Sequence, residues 1–93
     1  MVRPAFHCDW RLRPSERMVC RNPQLATLDR RLNHAFSVAV QAGVPRASLR
    51  REQDRWENVR ERAARRSPAA VAAAYRQRIA QLDALAAHRH ARR

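Results

Sequence analysis

The chain has 93 residues and a mass of 10.8 kDa, which suits one domain; its 20 basic residues are all arginine, and 8 acidic ones leave a net charge of +12. With 45% hydrophobic and 30% charged residues it can build a packed core, unlike a disordered segment. One glycine is too few for a hairpin-rich β fold, and no apolar run approaches the roughly 18 residues of a membrane span.

Met1-Val2-Arg3-Pro4 does not read as a signal peptide, because the apolar segment is missing. Two expectations for the compartment follow: export with the signal removed, or the cytosol. Cys8 and Cys20 enclose eleven residues. They read as one disulfide, whose closure would add about 3 kcal/mol, as two reduced thiols, or as a zinc site begun by His7 and Cys8. The other histidines lack the spacing of ligands, which places zinc last.

Helix signals follow in order. Pro14-Ser15-Glu16 opens a short helix to about Cys20. Asn22-Pro23 pairs a cap residue with proline at the first helical position. From there Leu25, Leu28, Leu32, Ala35, Phe36 and Ala39 form one stripe ending near Gly43, a natural helix terminator. A third helix starts at Pro45 and carries Leu49, Trp56, Val59 and Ala63 on one face. Ser67-Pro68 repeats the cap-plus-proline signature before Val71, Tyr75, Ile79, Leu82 and Leu85 or Ala86. The tail from His88 to Arg93 is expected to fray. Short connections predict antiparallel neighbours. The expected fold is all-α: a small antiparallel bundle of three long helices plus a short N-terminal helix.

Several polar residues fall inside these apolar stripes. Asp29 lies among Leu25, Leu28 and Leu32; Gln53 and Arg60 flank Trp56; Arg78 shares a side with Tyr75 and Leu82. A buried carboxylate must be hydrogen-bonded, so Asp29 is expected to pair with Arg60 or Arg78, with Tyr75 and Gln53 completing the set. Such a network fixes helix register more often than it performs chemistry.

Catalytic constellations are absent from the pattern. Ser15, Ser37, Ser48 and Ser67 do not lie in glycine-rich turns, and His7, His34, His88 and His90 show no pairing at helical spacing. Glu57 and Glu61 share a face but sit among Arg60, Arg62 and Arg65, which reads as solvated ion pairs. The expectation is a protein that is not an enzyme, with no cofactor and no metal. The charge is spread along the chain: net +3 over residues 1–22, +1 over 23–43, +4 over 44–66 and +4 over 67–93. Arg51, Arg55, Arg62 and Arg66 form one candidate basic ridge opposite Trp56, with Glu52, Asp54, Glu57 and Glu61 interleaved. Phe6, Trp10, Phe36, Trp56 and Tyr75 read mostly as core, so no stacking platform for bases is expected.

A set of short motifs recurs in a definite order: Phe6-His7-Cys8; Glu16 four residues before Cys20; Asn22-Pro23 leading to Leu25, Leu28 and Asp29; Phe36; Gln53, Trp56 and Arg60; and Tyr75, Arg78, Ile79 and Leu82. Over residues 6–85 this order resembles the lysozyme inhibitor LprI-like N-terminal domain family of small secreted or envelope proteins of bacteria. The resemblance implies an all-helical domain filling residues 1–93, with a core of about 6–86 and a basic tail at 87–93. It also implies export to the periplasm or beyond, a Cys8–Cys20 disulfide and, as for some members, binding and inhibition of lysozyme. Its shared residues Asp29, Gln53, Trp56, Arg60, Tyr75 and Arg78 coincide with the polar network, which favours a scaffold role for them. Two departures stand out. Ala63 and Ala70 occupy places where many relatives carry a second cysteine pair, and the net charge of +12 opposes long-range attraction to a basic lysozyme.

The expected function is a non-enzymatic, exported binding module that blocks the cleft of a lysozyme-like partner, using residues 43–48 and the N-terminal segment. The alternative is an electrostatic binder of polyanions, either nucleic acid or anionic envelope lipid, through the ridge of Arg51, Arg55, Arg62 and Arg66. Nucleic acid is the less favoured of these partners.

Overall fold

Each helix begins where the sequence supplies a cap or a proline. A computed structural model describes residues 2–91 as α1 (Pro14–Arg21), α2 (Pro23–Gln41), α3 (Arg46–Ala64) and α4 (Pro68–Ala91). At α1, the Glu16 carboxylate reaches back to accept the Arg13 N–H at 2.9 Å. At α2, Asn22 Oδ1 accepts from the N–H groups of Gln24 and Leu25, and at α4 Ser67 Oγ accepts from Ala70. These contacts satisfy donors that a helix start leaves unpaired.

Gly43 ends α2 with φ of 105°. Its N–H bonds to Val40 O, and the N–H of Val44 bonds to Ala39 O. This double closure requires a left-handed residue, which glycine adopts without a Cβ clash.

Helix α4 packs against both α2 and α3, while α1 bridges α2 and α3, which hardly touch each other. The pairs Arg60–Tyr75 and Gln53–Arg78 run in opposite senses along α3 and α4, so these helices are antiparallel. The body measures 42 × 25 × 21 Å. Its core is built from Val19, Leu25, Leu28, Leu32, Leu49, Trp56, Val71, Tyr75, Ile79 and Leu82. A disulfide joins Cys8 to Cys20 and holds the N-terminal strap against α1. No described helix is long and apolar enough to cross a membrane.

The structure corrects three expectations. The tail stays helical through Ala91, because alanines continue the backbone ladder and His88, Arg89 and His90 suit a C-terminal turn; Arg92 and Arg93 lie outside the described residues. Val59 is exposed, at the edge of the α3 stripe instead of in the core. Trp10 is 84% exposed. Asp9 Oδ1 accepts the Arg11 N–H at 2.8 Å and turns the chain there, outside any helical stripe that would direct the ring inward.

Candidate functional site

The polar residues of the stripes form a chain of hydrogen bonds through the interior. Asp29 on α2 accepts the Tyr75 hydroxyl at 2.8 Å, and that hydroxyl accepts Arg60 Nη1 at 3.3 Å. Arg60 Nε donates to Ser15 Oγ, which donates to Glu61 Oε2 at 2.7 Å. Glu61 also accepts the Ser15 N–H and meets Arg13 Nε at 3.3 Å. At the other end, Asp29 Oδ2 accepts the N–H of Ala5 from the N-terminal strap. One relay therefore ties the strap to all four helices.

The expected direct pairing of Asp29 with Arg60 or Arg78 does not occur. Tyr75 stands between Asp29 and Arg60, bonded to both, and its neutral hydroxyl can donate to one while accepting from the other. Arg60 lies 5.3 Å from the Trp56 ring and 5.9 Å from the Phe6 ring, in cation–π reach of both, and meets Glu16 at 3.9 Å. Trp56 donates its Nε1–H to Ala74 O and meets Tyr75 edge-on at 4.9 Å.

Gln53 and Arg78 form a separate pair. Arg78 Nε donates to Gln53 at 2.9 Å and Nη1 to Gln81 at 3.3 Å. Its Nη2 is the one buried side-chain polar atom without a partner among the described residues. Burial lowers the Arg78 pKa below its ordinary value, with Glu52 opposing and Arg55 adding to the effect.

Burial, with the Asp29 carboxylate beside it, pushes the Tyr75 pKa well above its ordinary value, and Arg60 opposes the shift only in part. The unfolded phenol ionises near pH 10. Because the folded pKa is the higher one, the stabilisation is complete below pH 10 and is lost as pH rises beyond it. Tyr75 is the single tyrosine of the chain. Absorbance at 295 nm is therefore expected to show no tyrosinate at pH 10–11 in the folded protein, whereas urea-unfolded chain titrates near 10. Coincident curves would refute a buried, carboxylate-bonded hydroxyl.

Arg13 and the backbone of Ala5 join this site without having stood out in the sequence, and Ser15 and Glu16, read there as a helix start, join it as well. Glu61, read as a solvated partner of the neighbouring arginines, is 9% exposed. Helix α3 packs on two sides, with Trp56 and Arg60 bonded to α4 and Glu61 to α1, and the single-stripe reading captures only the first. The adjacency of Arg60 and Glu61, opposite charges that both reach Ser15 on α1, was the available signal.

Above this chain, the gap between α2 and α3 is a groove of about 370 Å³. Phe6, Phe36 and Trp56 supply its apolar surface, Asn33, Arg46 and Arg50 with the acids Glu16 and Glu57 its polar edge, and Asp29 and Arg60 reach its wall. It thus joins the strap to Arg46 of segment 43–48, two stretches singled out as binding candidates. A larger depression of about 1050 Å³ beside Arg30, Arg31, His34 and Asp83 shares only Ala5 with the network.

Arg51, Arg55, Arg62 and Arg66 are all exposed, the first three on α3 and Arg66 in the turn that follows it. The acids are less interleaved with them than the sequence implied, since Glu61 turns inward. Among the described residues no group of three or more His, Cys, Asp or Glu side chains is arranged to hold a metal ion. No family model, no curated protein and no solved structure matches the chain.

Proposed function

We propose that the chain is a non-enzymatic, exported binding module of the LprI-like kind, which blocks a lysozyme-like enzyme by occupying its cleft. The observation that carries this reading is the groove edge, where exposed Arg46 and Arg50 stand beside the apolar rings of Phe6, Phe36 and Trp56. Glycosidase clefts carry paired carboxylates, and two guanidinium groups next to an apolar surface complement them locally. The disulfide, consistent with an oxidising compartment, supports export. The buried relay supports a scaffold role, because its members bond one another and fix how the helices dock.

Long-range charge then selects the partner. With a surface of this sign, neutral or acidic muramidases are favoured over strongly basic ones. Inhibition of an acidic muramidase is expected at micromolar protein, and Arg46→Glu with Arg50→Glu should weaken it about tenfold or more. Absence of inhibition across acidic, neutral and basic muramidases would overturn the reading.

A further inference from the structure

Among the described residues the buried charged ones are Asp29, Arg60, Glu61 and Arg78, whose charges cancel. Among the described residues every other arginine is exposed, so the excess of positive charge there faces solvent. Within that surface one region combines cations with an exposed aromatic. At 100° per residue, Arg51, Arg55, Asn58 and Arg62 fall within about 60° of one another on α3. Among the described residues no carboxylate lies within ion-pair distance of these three arginines.

The N-terminal segment docks onto the middle of this stripe. Arg13 donates Nη2 to Asn58 at 3.4 Å while its Nε meets Glu61. Trp10 lies three residues before Arg13, within about 10 Å of chain. It is 84% exposed, with the Arg11 guanidinium 5.6 Å from its ring and 3.5 Å from the Asp9 carboxylate, a surface pair that lipid phosphate can replace. Arg17, exposed on α1, donates to Leu12 O and adds a further cation beside the turn. The Cys8–Cys20 disulfide and the Asp9 turn hold this loop on both sides of Trp10.

We infer that this surface adsorbs the protein to anionic lipid bilayers, with Trp10 entering the headgroup layer and Arg11, Arg17, Arg51, Arg55 and Arg62 facing the lipid charge. A single tryptophan among arginines is the chemistry of an interfacial anchor. A strand of nucleic acid would need successive stacking rings, and the other tryptophan, Trp56, and the single tyrosine, Tyr75, are buried. An oxidising compartment, with which the disulfide is consistent, also offers membrane surfaces more readily than nucleic acid.

The two tryptophans make the test specific, because Trp56 is already buried and Trp10 is not. Vesicles of phosphatidylglycerol and phosphatidylcholine, mixed equally, should shift the Trp10 emission to the blue and shield it from iodide. Pure phosphatidylcholine should do neither. By vesicle co-sedimentation, Trp10→Ala should weaken binding about tenfold, and each of Arg55→Glu and Arg62→Glu about fivefold or more, with unchanged helical circular dichroism. Raising salt from 50 to 500 mM should release the protein. Equal binding to pure phosphatidylcholine, full affinity in Trp10→Ala, or an emission shift with a single-stranded oligonucleotide but not with anionic vesicles would each overturn the assignment. Arg46→Glu with Arg50→Glu should leave the Trp10 shift in place, so failure of muramidase inhibition and failure of adsorption are separable.

Discussion

Arg60→Met is expected to lower stability by about 3–5 kcal/mol, since removing one member of a buried ionic set strands the others. Arg60 is 4% exposed and contacts Ser15, Tyr75 and Glu16 as well as two aromatic rings. Methionine fills much of the volume but leaves the hydroxyl oxygens of Tyr75 and Ser15 without the guanidinium donor they accept from. For a domain of this size the melting temperature should fall by at least about 12 °C. Arg78→Met gives the contrast. That guanidinium is also buried, yet Nη2 has no partner and Gln53 is half-buried, so it can turn to water. Replacing Arg78 should be nearly neutral or stabilising. Equal losses for the two variants in thermal melts would show that burial alone, and not the relay, sets the effect.

Loss of the Cys8–Cys20 bond is expected to cost about 3 kcal/mol, from the freedom regained by the unfolded loop. The sequence separation is 12, and the bond ties the strap to α1. A chain this short buries only about 60–65% of its unfolded surface, so such a loss is a large share of its stability. The structure also says where the folded state should loosen first. Ala5 N–H caps Asp29 at 2.7 Å and Phe6 lies against Arg60, and both contacts are made by the strap. In Cys8→Ser with Cys20→Ser, urea unfolding should shift to lower concentration, and the Ala5 amide should exchange faster than the amides of α4. An unchanged midpoint would mean that Asp29 and Arg60 hold the strap unaided.

The helices were legible because their starts are chemical: Asn22, Ser67 and three prolines fix where backbone donors find partners, and Gly43 fixes where α2 stops. The buried positions of Asp29, Arg60, Tyr75 and Arg78 were legible from periodicity alone, since each falls inside an apolar stripe. Their partners were not. Which acceptor a guanidinium reaches depends on how two helices rotate against each other, and period 3.6 does not encode that rotation. Asp29 thus meets a phenol and a backbone N–H instead of an arginine. Glu61 escaped because α3 is covered on two sides, and Trp10 because a residue in a loop has no periodicity to read. The groove is likewise a property of three-dimensional packing: α4 fills the space between α2 and α3 on one side only.

The cancellation of buried charge has a consequence for how salt acts on this protein. Among the described residues every arginine except Arg60 and Arg78 is exposed, so the self-repulsion of the folded form is a surface quantity that small ions can screen. Added salt should therefore make the fold firmer while loosening its hold on any anionic surface. Stability and adhesion are then set against each other by one variable, and dilute conditions favour the bound but least rugged form of the molecule.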